Sequence, residues 1–212
     1  MNKSINIFNN KKLLIFDYDG TIADTETLHD EAFKFTLADY RLKFIYSDIA
    51  GLSTEDALLE IFANNNIKTS KLDIKKLAVQ KRQAVSNLFD EHFNLMSGVL
   101  DFLNYAKNFF MLSIVSSGSR KNIIRGLEKS EIIDLFNIII CREDLEFAKP
   151  HPEGFLLALK AFKKIAKSDA LIFEDSYNGI KAAKNADIEC LNVNEQNWEY
   201  LKKLLLSSSH YA

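Results

Sequence analysis

The stretch from Lys12 to His29, KLLIFDYDGTIADTETLH, sets two carboxylates one residue apart, Asp17 and Asp19, directly after an apolar run and before a glycine. Carboxylates at that spacing repel one another and attract a hard cation, and the Gly20-Thr21 turn can offer backbone N–H groups to an oxyanion. Such a place suits a phosphate and a divalent metal together. Taken alone, an Asp-x-Asp-Gly turn fits equally well a strand end whose acids cap the helix that follows.

Three further clusters carry chemistry. Ser116-Ser117-Gly118-Ser119-Arg120 places hydroxyls and a glycine where a helix opens, a usual anion cradle or an ordinary N-cap cluster. Lys149-Pro150-His151-Pro152 holds both prolines of the chain, and Pro150 biases Lys149 to extended backbone and so restricts where its ammonium points. Glu174-Asp175 ends an apolar run in two acids, which is costly unless a cation or hydrogen-bond donors compensate.

These clusters need strands behind them. Leu13 to Phe16 read as a buried parallel strand, and the spacing predicts further strands at Phe110 to Val115, Ile138 to Cys141, Ala170 to Phe173 and Ile188 to Val193. Helices are predicted over Val99 to Asn108, Ser119 to Lys129, Pro152 to Ile165, Tyr177 to Asn185 and Asn197 to Leu206. Alternation of this kind implies parallel βαβ units, and the carboxyl ends of the strands then share one rim where ligands bind. Between residues 26 and 92 only helical spacing is found: 26 to 40, a helix with Ser53 as N-cap that ends at Asn64-Asn65-Asn66, and 70 to 92. The expected fold is α/β, a doubly wound, Rossmann-like parallel sheet made of residues 1–24 and 94–212, with an all-helical cap domain, residues 25–93, inserted after the first strand.

Composition narrows the function. A chain of 212 residues with 47% hydrophobic and 26% charged residues is globular, and a formal charge of −2 implies no polyanionic partner such as nucleic acid. No apolar stretch reaches membrane-spanning length and the start, Met1 to Asn6, lacks a signal-peptide core, so no membrane association and a cytoplasmic location are expected. Cys141 and Cys190 read as free thiols. Among His29, His92, His151 and His210 no two stand at helical metal-ligand spacing, so zinc is unsupported.

The ordered set D-x-D-G-T, a serine after the second strand, Lys-Pro-x-Pro and Glu-Asp-Ser-x-x-Gly-Ile-x-Ala-Ala resembles the haloacid dehalogenase superfamily over nearly the whole chain. The helical insert looks like the cap of its first subclass. Asp24 to His29 and Gly51-Leu-Ser-Thr-Glu-Asp-Ala resemble the branch that holds β-phosphoglucomutase and many small-metabolite phosphatases. The resemblance implies that Asp17 is the nucleophile, forming an aspartyl phosphate, and that Asp19 is general acid and then general base. It implies Mg2+ held by Asp17, the backbone carbonyl of Asp19 and Asp175, with Glu174 behind them. Phosphoryl oxygens would be bound by Ser116, Ser117 and Lys149, and the cap would contribute His29, through substrate contact or packing, and Thr54. Hinges are expected near Asp24 to Glu26 and Leu95 to Gly98. The mutase carries a cation after the cap serine, where this chain has Thr54, and Ala50 replaces a usual lysine. The reading is therefore a magnesium-dependent phosphatase of a small phosphorylated metabolite, acting as a monomer. Two alternatives are a phosphomutase, with Lys43 as a substitute cation, and a catalytically silent binding protein of the same fold.

Overall fold

The computed structural model describes residues 7–207; the Met1 to Asn6 start and His210 lie outside the described residues. In chain order the first elements are β1 (Leu13–Phe16), β2 (Ala23–Asp24), α1 (Glu26–Thr36), α2 (Tyr46–Ile49), α3 (Thr54–Asn64) and α4 (Lys71–His92). They are followed by β3 (Asn94–Leu95), α5 (Val99–Ala106), β4 (Met111–Val115), α6 (Arg120–Lys129), β5 (Ile138–Ile140) and α7 (Glu153–Ala161). The chain closes with β6 (Ala170–Glu174), α8 (Tyr177–Ala186), β7 (Cys190–Asn192) and α9 (Trp198–Leu206).

Five strands form one parallel sheet in the order β5-β4-β1-β6-β7, the doubly wound order with β1 at the centre. All four residues of β1 are buried, and alternation sends them to opposite faces. Leu14 and Phe16 enter one core with Phe102, Phe173 and Trp198. Leu13 and Ile15 enter a second with Phe155, Ile172 and Ala182. Register then sets the rim: Phe16 pairs with Ile114 and with Phe173, so Asp17, Ser116 and the Glu174-Asp175 pair leave the sheet at one edge. The ladder continues into that edge, since the Asp17 N–H donates to the Phe173 carbonyl at 2.9 Å.

Helices α1 to α4 stand over this edge. Ser53 and Ser70 cap α3 and α4, each accepting a backbone N–H at 3.1 Å. Phe33, Ile49, Leu58, Phe62 and Leu77 make a separate apolar cluster at the far end, whereas Leu28, Ala32, Val85 and Phe89, at the near end, join the first sheet core. Two features differ from the expected elements. The helix from residue 26 ends at Thr36, because the chain turns through a 3-10 segment to Arg41, which takes a left-handed φ of 53°. The helix from residue 153 ends at Ala161, where Phe162 and Ile165 turn back onto the second sheet core. A feature without a sequence signal is the two-residue antiparallel ladder β2–β3, Ala23 with Leu95 and Asp24 with Asn94, which ties the start of the helical segment to its end.

Phe102 on α5 lies at the centre of an aromatic cluster, with ring centroids 5.0 Å from Trp198, 5.7 Å from Phe173 and 6.3 Å from Phe16. Truncation there removes contacts on several sides and leaves a cavity the strands cannot collapse into. Phe102→Ala should cost about 3–5 kcal/mol in urea-induced unfolding; a loss below about 1 kcal/mol would show that this cluster does not hold the sheet.

Candidate active site

Glu174 is fully buried at the end of β6, and every contact it makes is a donor. One oxygen accepts from the Lys149 ammonium, and the other from the backbone N–H groups of Asp175 and Ser176 and the Ser176 hydroxyl, at 3.0–3.1 Å. The glycine of the Glu-Asp-Ser-x-x-Gly pattern explains how so large an acid fits: a Cβ on Gly179 would lie 1.8 Å from that carboxylate. Lys149, buried as well, reaches Asp17 with the same ammonium. It ends a loop and is followed by a cis Lys149–Pro150 peptide. Two of its three N–H donors are thus committed and one is left for a ligand.

Asp175 lies beside the Asp-x-Asp-Gly turn. Its carboxylate accepts from the Thr21 hydroxyl at 3.0 Å, and Gly20, at φ 81°, passes so close that a Cβ would meet it at 2.2 Å. A side chain at position 20 is excluded by both φ and space. The turn uses its own backbone donors: Gly20 N–H goes to the Ala23 carbonyl and Thr21 N–H to Tyr18. The expectation that these two groups serve an oxyanion is therefore corrected, because the tight turn consumes them. A second correction concerns the cradle after β4. The Arg120 N–H at the start of α6 is taken by both oxygens of Glu143, so the protein's own carboxylate caps that helix. Ser116, Ser117 and Gly118 nevertheless line the cavity, and the Ser117 hydroxyl is buried without a partner among the described residues.

Asp17, Glu174 and Asp175 each offer an oxygen within 4.8 Å of the others. Burial pushes the Asp17 carboxyl well above the usual range; Lys149 opposes this, and Glu174, Asp175 and Asp19 reinforce it. Burial, with Glu174 next, pushes Asp175 up to about 7, although the Thr21 hydroxyl and Lys149 pull it down. Lys149 is held in the charged form because its two carboxylates outweigh the burial that disfavours charge. One ammonium among three crowded carboxyls leaves an excess of negative charge with oxygen donors only, a donor set that fits a hard divalent cation.

Asp19 takes a different direction from Asp17. Its Oδ1 accepts from the Thr25 hydroxyl at 2.7 Å and from His29 Nε2 at 3.0 Å, both contributed by the start of the helical segment. His29 Nδ1 lies 2.6 Å from the ammonium of Lys81 on α4. An ammonium can only donate, so Nδ1 accepts and Nε2 carries the proton that goes to Asp19. Burial and Lys81 both hold the imidazole below its ordinary pKa, in the neutral state. Burial alone would raise Asp19, yet the hydrogen bonds from His29 and Thr25 and the Lys81 charge hold it below the usual carboxylate range. With the imidazole neutral, that lowering comes from hydrogen bonds and the Lys81 charge. Lys81 itself falls to about 8, with burial the main cause.

Sequence reasoning missed Lys81. The signal was present: it continues the buried stripe of Ile74, Leu77, Ala78, Ala84 and Val85 on α4, where a lysine has no packing reason to be. His29, read with substrate contact and packing both open, hydrogen-bonds Asp19 and lines the cavity. Thr54 lines it too, whereas Lys43 is exposed and does not. The cavity has a volume of about 400 Å3, with Asp17, Asp19 and Asp175 on one wall and His29, Tyr46 and Lys81 on another. Two contacts press the α2–α3 loop onto the rim. The Asn178 amide donates to the Ala50 carbonyl at 3.0 Å, and Gly51 leaves no room for a Cβ against the Ser176 hydroxyl, 2.3 Å away.

Residues 14–193 match the haloacid dehalogenase-like hydrolases. The chain belongs to this family. Among the relatives of this haloacid dehalogenase-like hydrolase is the phosphorylated carbohydrates phosphatase of Thermotoga maritima, 27% identical over 83% of this chain and 82% of the relative. A second is (DL)-glycerol-3-phosphatase 2 of Arabidopsis thaliana, 28% identical over 85% and 78%. The β-phosphoglucomutase of Clostridium difficile has the same fold, with a TM-score of 0.78 over 92% of this chain and 96% of that one at 24% identity.

The carboxyl cluster carries a pH signature. Asp175 and Asp17 hold their protons more tightly folded than unfolded, so their contribution to stability is fully present below the ordinary carboxylate pKa and is lost as pH rises, through about 7 for Asp175. Metal-stripped protein should therefore melt at a higher temperature at pH 5.5 than at pH 8, with Asp175 contributing on the order of a few kcal/mol. Asp175→Asn should flatten the difference in a thermal-shift titration; an unchanged slope in that variant would assign the effect elsewhere.

Proposed function

We propose that this haloacid dehalogenase-like hydrolase is a magnesium-dependent phosphatase of small phosphorylated metabolites, working through an aspartyl phosphate on Asp17. The observation that carries this reading is the division of labour between the two acids of the Asp-x-Asp turn. Asp17 belongs to the carboxyl cluster and faces Lys149, while Asp19 is ionised and hydrogen-bonded to the cap. The names of the relatives, a carbohydrate-phosphate and a glycerol-phosphate phosphatase, agree with it.

In this reading Asp17 attacks phosphorus, the bond to the leaving oxygen breaks, and an acyl phosphate forms. Asp19 gives that oxygen a proton. The substrate's phosphoryl charge beside it raises its proton affinity from the low value of the free site. Once the alcohol has left, Asp19 takes a proton from water, which attacks phosphorus and frees Asp17 and inorganic phosphate. Ser116, Ser117 and the remaining N–H of Lys149 bind phosphoryl oxygens, and Glu174 holds Lys149 and the Asp175 loop in place. Asp17, the Asp19 carbonyl and Asp175 would hold magnesium, which supplies charge neutralisation for the phosphoryl group.

A phosphomutase is the second reading, and one observation favours it: Lys81 is a cation in the cavity wall of a cap that carries none at Ala50 or Thr54. That ammonium is buried and donates to His29, with two N–H groups beyond that contact, so the product assay below decides between the two readings. A silent binding protein would retain crowded buried carboxyls without use.

Phosphate release across a panel of sugar, polyol and hydroxy-acid phosphates tests the reaction. Activity should vanish in EDTA and return with magnesium. Asp17→Asn should lose at least about a thousandfold in turnover while keeping its melting temperature; residual wild-type turnover would reassign the nucleophile. With β-glucose 1-phosphate and a trace of the 1,6-bisphosphate, free phosphate should exceed glucose 6-phosphate. The reverse order would make the chain a mutase.

A further inference from the structure

Tyr46 opens α2 on the cap side of the cavity. Its ring stacks on the His29 imidazole, with centroids 6.3 Å apart and planes 16° from parallel, and it packs against the apolar cluster of the helical segment. Its hydroxyl, like that of Ser117 on the opposite wall, is not taken up by the protein, whereas the hydroxyls that hold the acids are. Thr25 donates to Asp19, Thr21 to Asp175, Ser176 to Glu174 and Ser53 to Asp56. Among the described residues the Tyr46 hydroxyl makes no hydrogen bond, although the residue lines the cavity. Stacking on His29 needs only the ring, and a phenylalanine would supply it without a polar group to satisfy. Open to the cavity and not sealed in the interior, the phenol takes its partner from water or from a bound molecule.

Its place indicates what the partner would be. Tyr46 adjoins His29, and His29 hydrogen-bonds Asp19, the acid that meets the leaving oxygen in the proposed reaction. The first atoms of the leaving group must therefore pass beside Tyr46. Burial and the surrounding carboxylates, Asp19, Asp175, Asp17 and Glu26, keep the phenol protonated, so toward a substrate it acts as a donor. Much of the same wall is apolar, with Phe33, Ile49, Leu52 and Ala57. A leaving group bearing an oxygen close to the ester would be met by a donor there, and one without it would not.

We propose that Tyr46 is a specificity-determining residue whose hydroxyl donates to an oxygen near the ester carbon of the leaving group, selecting phosphate esters of polyols, sugars and hydroxy acids. The inference rests on the phosphatase reading above. Tyr46→Phe keeps the ring and its stacking and removes only the donor. The variant is compared with wild type on two probes: the best sugar or polyol phosphate of the panel, and p-nitrophenyl phosphate, whose phenol carries no oxygen beside the ester. The value of kcat/KM should fall about tenfold on the first probe, the scale of one lost hydrogen bond, and stay within about twofold on the second. An equal fall on both probes would make Tyr46 a support for His29 and overturn the proposal, as would no change on either. Failure of the phosphatase reading is distinguishable, because wild-type protein would then release phosphate from neither probe.

Discussion

One buried ammonium holds the site together. Lys149 bridges Asp17 at the end of β1 and Glu174 at the end of β6, two adjacent parallel strands that would otherwise end in mutually repelling carboxylates. Removing that ammonium would leave Asp17 and Glu174 buried side by side without a cation, a far larger penalty than the net gain of the pairs, whereas loss of the Asp17 charge still leaves Lys149 paired with Glu174. Around this pair the rest of the rim is arranged by close approach: Gly179 makes room for Glu174, Gly20 for Asp175, and the donors of Ser176 and Thr21 satisfy what Lys149 cannot. Burial first, and the negative charge of the neighbouring carboxylates after it, pushes two of these carboxyls up, which leaves a donor set suited to a divalent cation.

Asp17 and Asp19 are only one residue apart, yet they belong to different halves of the molecule. Asp17 is fixed by the sheet, whereas Asp19 is held by Thr25 and His29 and, through His29, by Lys81. Asp19, the acid proposed above to handle protons, is thereby tied to the helical segment over the rim. Hydrogen bonding across this boundary means that the Asp19 environment depends on where the helices stand, and the Asn178–Ala50 contact fixes that position at the opposite side of the cavity. A closed, low-dielectric site of this kind strengthens every electrostatic term within it.

Much of this was legible from residue order. The D-x-D-G-T run, the serine cluster, Lys149 and the Glu174-Asp175 pair stood after predicted strands, and the parallel sheet brings them to one edge with Asp17, Lys149, Glu174 and Asp175 in mutual reach. Local rules suffice for that, because alternation decides which strand residues are buried and the strand end decides where the acids emerge. Gly20 was legible as a turn, although its reason, space for Asp175, was not; Gly179 sits inside α8, and its reason, space for Glu174, left no local signal.

What tertiary structure alone decided lies between the layers. Lys81 is 52 residues from His29, and the stripe that buries it signals only a helix face, not which face of another element it meets. The β2–β3 ladder is too short to leave a periodic pattern, and Glu143 caps α6 from 23 residues away. These contacts depend on the relative placement of elements, which a one-dimensional pattern does not encode. The sequence by itself determined the strand ends and the chemistry they carry; only the packing of the helices over the sheet determined which of those groups is satisfied internally and which is left for a substrate.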